Sequence, residues 1–275
     1  MTAIPHAERR DSSVLRIKAI ARRHWFVMVR SPHRLFDVTI WPLVDVLLFG
    51  SIATFFLRAE GTDVGRAAFG YLLAGILLWH VVYQSQISLS TGFLEETWSR
   101  NLLNLMVTPM REWEYIAGVV VLGLLKLVLG VGAVALLALL AFAFDVTDLG
   151  LTLVPIAAVL LMTGWVIALF VIGLVLRFGA GAEALAWGIL FVVMPLSGVF
   201  YPVDALPGLL QPIARLLPTT HAFIAARSVL DGGGVPWGRL GVAAVAAVVL
   251  AMLAVAWVAA MLRLFRTRGY VTRYS

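Results

Sequence analysis

The sequence predicts an all-α integral membrane protein with six transmembrane helices, and three observations carry the prediction. The chain is 61% hydrophobic and 13% charged, whereas a soluble domain carries about 25% charged residues. Its mean hydropathy is +0.97. Its apolar residues gather into six segments near the ~20-residue length that a helix needs to cross a bilayer core. At 275 residues the chain is read as one integral domain, 35–275, behind a short N-terminal segment, 1–34, with no room for a large soluble domain. It has no cysteine, which excludes disulfides and thiolate metal sites.

The elements follow in order. Met1–Arg34 is basic and amphipathic. It lacks the apolar core and small-residue cleavage site of a signal peptide, so the first apolar segment is expected to be retained as a span. Residues 13–30 mix apolar and basic positions, which predicts a helix lying in the membrane interface as an anchor. The spans are read as Leu35–Leu57, Ala68–Phe93, Tyr115–Phe144, Leu151–Leu176, Glu183–Phe200 and Leu240–Leu264. The third is long enough to tilt. The fifth must end or kink at Met194-Pro195.

Arginine distribution orients the bundle. Arg9, Arg10, Arg16, Lys18, Arg22, Arg23, Arg30 and Arg34 precede the first span, and Arg263, Arg266, Arg268 and Arg273 follow the last. Arg100, Arg111 and Arg177 lie on the same side, against Arg58, Arg66, Arg215, Arg227 and Arg239 on the other. The positive-inside bias then predicts that both termini are cytoplasmic. The net charge of +6 reads as membrane topology, not as nucleic-acid binding.

Two connections are unusual. Glu95–Arg111 is a polar interruption between spans two and three. At helical spacing Trp98, Leu102, Leu105, Met106 and Pro109 share one face, with Arg100, Asn101, Asn104 and Thr108 mostly elsewhere. Glu95, Glu96, Glu112 and Glu114 make this loop acidic, a surface suited to a partner more than to anionic lipid. The second connection, Pro195–His221, is too apolar for a solvated loop and too rich in proline for one span. Leu206, Leu209, Leu210, Ile213, Leu216 and Leu217 form a stripe at helical spacing. Thr219 or Thr220 is the expected cap of a further short helix ending at Gly232-Gly233-Gly234. Two short helices re-entering the outer leaflet are predicted, since irregular backbone at that depth must lie against protein or a polar cavity.

Three polar features fall inside the spans. Asp45 and Lys126 each lie about 15 Å deep at ~1.5 Å per residue. A charge at that depth costs roughly 2.5–3.5 kcal/mol on insertion scales. They are expected either to pair, within one subunit or across a dimer, or to face a water-filled path or snorkel separately. In the second span His80, Gln84, Ser88 and Thr91 share a face, with Tyr83 nearby. That stripe reads as a translocation lining or as interhelical hydrogen bonding.

No GxxxxGK[ST] loop occurs, because Ile17 precedes Lys18 and Leu125 precedes Lys126. An intramembrane serine protease would need Ser197-Gly198 and His221, but Pro195 stands where the GxSG pattern has glycine. The five histidines form no close-spaced ligand pair. A metal site is not expected.

In combination these features resemble the permease subunit of an ABC-2 type (type V) ABC exporter. The likeness rests on the basic N-terminal helix, the amphipathic segment ending Leu105-Met106-Val107-Thr108-Pro109, the run Pro-Leu-Ser-Gly-Val-Phe-Tyr-Pro from Pro195 to Pro202, Pro207, and Leu217-Pro218-Thr219-Thr220-His221. The resemblance implies two permeases, the same or paralogous, in the plasma (inner) membrane of a bacterial-type cell. It also implies two separate ATP-binding subunits that carry ATP and Mg, with no cofactor on this chain. Glu95–Arg111 corresponds to the family's coupling helix, with Glu95, Glu96, Trp98, Arg100, Asn101, Asn104, Thr108 and Pro109 as its coupling residues. Ser99-Arg100-Asn101 departs from a glycine-containing family pattern. Val203–Leu217 and Thr220–Leu230 correspond to the re-entrant helices, with Pro195, Gly198, Tyr201, Pro202, Pro207 and Pro218 shaping them. The family exports lipid-linked glycans, lipids and drug-like amphipathic compounds. A secondary transporter is the main rival reading, and it would be expected to show paired broken helices in related halves. A lipid- or peptide-processing enzyme is the third.

Overall fold

A computed structural model of the chain describes residues 6–60, 63–98 and 112–268. Among these the regular secondary structure is all helical. α1 spans His6–Val29, α2 Pro32–Glu60, α3 Asp63–Trp98 and α4 Glu112–Phe142. A 3-10 segment, Val146–Thr152, leads into α5, Leu153–Phe178. A shorter one, Ala180–Glu183, leads into α6, Ala184–Leu196. Beyond it come a single 3-10 turn at Val203–Ala205, α7 at Gln211–Leu216, α8 at Pro218–Leu230 and α9 at Trp237–Arg268.

Among the described residues, five helices carry apolar stretches long enough to cross a membrane: Ile40–Arg58, Gly65–Glu96, Ala117–Phe142, Val146–Phe178 and Trp237–Leu264. The fifth predicted span is shorter than expected. α6 has 13 residues, about 20 Å at 1.5 Å per residue, against a hydrocarbon core of about 30 Å. Pro195 sits in its last turn and the helix ends one residue later, because the next residues turn sharply at Gly198, φ +63°.

α3 is the central helix and the longest, at 36 residues. The hydropathy pattern ends this span at Phe93, but the helix runs on through Glu95 and Glu96 to Trp98, and Arg23 of α1 pairs with Glu96 there. Leu73, Ile76, Leu77, Leu78 and Val82 of α3 are buried in the main core with Ile156 and Leu160 of α5. Glycines set the close crossings. A Cβ on Gly164 of α5 would strike Ser85 and the Val82 carbonyl of α3. A Cβ on Gly173 would strike the Trp257 indole of α9, whose Nε1 donates to Phe170 O at 3.2 Å. Small residues at such crossings let backbones approach where no hydrophobic drive separates helix from lipid.

α4 ends at Phe142, two residues before the expected Phe144, where Ala143 adopts φ +52°. Asp145 then caps the 3-10 segment. Its carboxylate accepts from Thr147 N at 2.8 Å and Thr147 Oγ1 at 2.6 Å, and these bonds hold its carboxyl below the usual carboxylate range.

Candidate functional site

Three polar assemblies lie along the length of α3. The first joins α1 to the residues on either side of 99–111. Arg16, Ile20, Arg23, His24 and Met28 recur at i, i+4, i+7, i+8 and i+12, so one face of α1 carries them all. Arg23 donates to Glu96 at the end of α3 through Nη1 at 2.8 Å and Nη2 at 3.1 Å. Arg16 Nη1 donates to both carboxylate oxygens of Glu114 near the start of α4, at 3.1 and 3.3 Å. His24 lies between two acids, with Nδ1 3.7 Å from Glu95 and Nε2 3.4 Å from Glu96. Gly118 of α4 admits Ile20, which a Cβ would crowd. Glu96 and Glu114 are 1% and 0% exposed.

This arrangement corrects one expectation. The acidic set Glu95, Glu96, Glu112 and Glu114 suggests a partner-facing surface, yet Glu96 is turned inward onto α1, and so is Glu114. A two-pronged arginine fork is geometrically matched to a carboxylate, and Arg23 meets Glu96 in that way. Trp98 is exposed. Arg100, Asn101, Asn104, Thr108 and Pro109 lie outside the described residues. Sequence reasoning missed Arg16, Arg23 and His24 as a set, although their helical spacing was readable.

The second assembly is at mid-length. His80, midway along the apolar stretch Gly65–Glu96, is buried with Gln84, Gln86 and Ser88. The stripe was expected to hydrogen-bond between helices or to line a path. The bonds seen are within α3: His80 Nδ1 donates to Ile76 O at 2.8 Å, Gln84 Nε2 approaches Ser88 Oγ at 3.5 Å, and Thr91 Oγ1 donates to Ile87 O at 2.7 Å. Tyr83 is half-buried, its ring centroid 6.1 Å from that of His80. Across from α3, Asp45 Oδ2 of α2 lies 3.6 Å from His80 Nε2. The structure thus gives Asp45 a histidine neighbour within the same chain. Lys126 lies on α4.

The third assembly is the turn after α6. Thr219 Oγ1 donates to Ser197 Oγ at 2.6 Å, and Ser197 Oγ donates to Val193 O at 2.8 Å. Arg227 Nη1 of α8 donates to Gly198 O at 2.6 Å. The Val199 carbonyl lies against Gly75 of α3. Phe200 stacks on Phe49 of α2, centroids 4.3 Å apart. Tyr201 Oη donates to Pro195 O at 3.1 Å. Tyr71 Oη donates to both Asp231 oxygens, at 2.6 and 2.7 Å, tying the far end of α8 to α3. One short turn therefore holds α2, α3 and α8 together.

Two details of this region differ from expectation. The first short helix is broken into Val203–Ala205 and Gln211–Leu216, because Pro202 precedes the first piece and Pro207-Gly208 interrupts the run before the second. Neither Thr219 nor Thr220 caps α8. Pro218 occupies its first turn, where its fixed φ starts a helix, and Thr220 Oγ1 instead donates to Ala214 O at 2.6 Å. His221 Nε2 donates to Arg215 O at 3.0 Å, so the hydrogen bonds of Ser197 and His221 run to other groups and no Ser–His dyad forms. Beside α8, an apolar cavity of about 350 Å³ opens between Thr163, Phe170, Val193, Pro218, Leu250 and Trp257.

A family model described as ABC-2 type transporter matches residues 16–230. That range runs from the first arginine of the α1 clamp to the end of α8, so it takes in all three assemblies except Asp231. No curated protein matches the sequence.

Proposed function

The chain belongs to the ABC-2 type transporter family, and from this we infer that it acts as a multi-pass membrane permease, a transport subunit without a catalytic role of its own. From that premise we propose that it is half of an exporter's membrane domain, driven by separate ATP-binding subunits that dock on the segment 99–111. The observation that carries this reading is the α1 clamp. Arg23 and Arg16 hold Glu96 and Glu114, which lie shortly before and shortly after that segment. A push on a loop moves the membrane helices only if the loop's two shoulders are held by the bundle. Here both shoulders are held by one helix, so a displacement passes into α3 and α4 together.

Further features support the topology. The arginine bias favours a cytoplasmic α1, which puts the clamp on the side where ATP is available. The turn after α6 then lies at the outer face, with α7 and α8 re-entering the outer leaflet. α6 makes the fifth crossing in chain order and brings the number to six, its short helix extended by Ala180–Glu183 before it and by the turn at 197–201 after it. A second permease, identical or paralogous, completes the pathway, and the cargo is amphipathic.

The test is purification of the chain from cells that carry its neighbouring reading frames. We expect an ATP-binding protein to co-purify and its ATPase rate to respond to the permease. Substitution of Arg100 or Asn104 by a bulky or oppositely charged residue should uncouple that response while membrane insertion is retained. Unchanged coupling in these variants, or a permease that purifies without any ATP-binding partner, would overturn the reading.

A further inference from the structure

Asp45 is an acid within the apolar stretch Ile40–Arg58, and the group behind it is a hydrogen-bond acceptor. His80 Nδ1 is 2.8 Å from the Ile76 carbonyl. A carbonyl can only accept, so Nδ1 carries the proton, and in the neutral ring Nε2 presents its lone pair. His80 is 2% exposed, an environment in which a charged ring would be costly. Nε2 faces Asp45 Oδ2 at 3.6 Å. Two electron-rich atoms therefore converge on one position, which a cation with N–H or acidic C–H groups would satisfy.

Asp45 is also reachable, its side chain 39% exposed. Trp41, one turn earlier on the same face of α2, is 58% exposed, and Leu48, three residues later, is exposed as well. A carboxylate, an indole face and an aliphatic surface on one helix face match the chemistry of an organic cation with an apolar body. The carboxylate supplies charge, the indole supplies cation–π attraction, and the leucine covers the apolar part. An intramembrane acid is costly to keep, and its presence is explained if a ligand neutralises it.

We propose that Asp45, with Trp41 and His80, is a binding position for the cationic head of an amphipathic substrate. The proposal rests on the permease reading, and it narrows the cargo to organic cations.

The test is equilibrium binding of radiolabelled tetraphenylphosphonium to the full chain in phosphatidylcholine nanodiscs, with triphenylphosphine oxide as the uncharged analogue. Saturable binding of the cation and none of the analogue is expected. Asp45→Asn should weaken binding at least about tenfold, Asp45→Glu should keep it within about threefold, and Trp41→Leu should weaken it several-fold. Trp41 is exposed, so its replacement tests the site even if Asp45→Asn fails to fold. Absence of saturable binding, equal binding of the uncharged analogue, or an Asp45→Asn affinity equal to that of the parent would overturn the proposal. Infrared detection of a protonated carboxyl that Asp45→Asn removes, with cation binding unchanged, would assign the position to a proton instead and would also overturn it. No ATPase is needed for this measurement, so loss of the exporter reading and loss of the cation site are separate results.

Discussion

Gly75 and Arg227 bear more of the outer assembly than their residue types suggest. A Cβ on Gly75 would overlap the Val199 carbonyl, a backbone atom that cannot rotate away. Gly75→Ala must push the turn off α3, and we expect a loss of roughly 1–3 kcal/mol, the usual range for overpacking. Thermal unfolding of the purified permease checks it. Gly70→Ala, five residues earlier in the same helix, is the control, because a Cβ there meets nothing within 4 Å. It should be neutral or stabilising by about 0.5–1 kcal/mol, since alanine is the better helix former. Arg227→Lys tests the staple from the other side. Lysine keeps the charge but lacks the planar fork whose Nη1 reaches Gly198 O, so a lowered unfolding temperature is expected at unchanged charge. Neither residue was legible as special in the sequence. A glycine in a long apolar run is commonplace, and Arg227 read only as a topology charge. The Pro195–Pro202 run was legible because proline, serine and glycine packed so densely cannot continue a span.

At the scale of elements, the helices themselves were mostly legible and their ends were not. Hydropathy found each of the five long apolar helices among the described residues, since burial in lipid demands a continuous apolar run. It placed the end of α3 too early, because a sequence window counts Glu95 and Glu96 as solvent-facing. Whether an acid ends a helix or extends it depends on a cation that arrives from another helix, here Arg23 from more than 70 positions earlier. The same fact predicts how α1 is held. Arg23→Ala takes the arginine fork from a Glu96 carboxylate that is 1% exposed and leaves His24 Nε2 at 3.4 Å beside it, and breaking a buried pair costs about 3–5 kcal/mol. The arginine is 46% exposed, so solvent screening puts the expected loss at the lower end or below. Glu96→Ala alone should also destabilise, and the double variant should lose less than the sum of the singles. The cycle is measured by thermal unfolding, with protease cleavage of α1 as a second readout. Strict additivity would mean that the pair contributes nothing to docking.

For the whole molecule, the lateral order of helices was the least legible feature. Periodicity says which stretches cross the membrane, but the neighbours are chosen by single glycines. Gly118 admits Ile20, Gly164 admits Ser85 and Gly173 admits Trp257. None of these pairings has a local sequence signal. Gly118 has a mechanical consequence, because it seats α1 directly on α4 while the two ion pairs hold α1 to both shoulders of 99–111. If those contacts persist through the transport cycle, α1 and the adjoining ends of α3 and α4 move as one body. A disulfide between Ile20→Cys and Gly118→Cys tests this. The parent chain has no cysteine, so any cross-link comes from the engineered pair. A Cβ on Gly118 would lie 2.7 Å from the Ile20 Cβ, and a disulfide needs about 3.5–4.5 Å, so α1 must retreat by roughly 1 Å. Rigid-body motion leaves that spacing constant. The oxidised transporter, assembled with its ATP-binding partner in proteoliposomes, should therefore keep an ATPase rate within about twofold of the reduced form, a change under ~0.5 kcal/mol in barrier. A large loss on oxidation, recovered with reductant, would show that α1 slides along α4 during each cycle. The clamp would then be a moving joint instead of a fixed one.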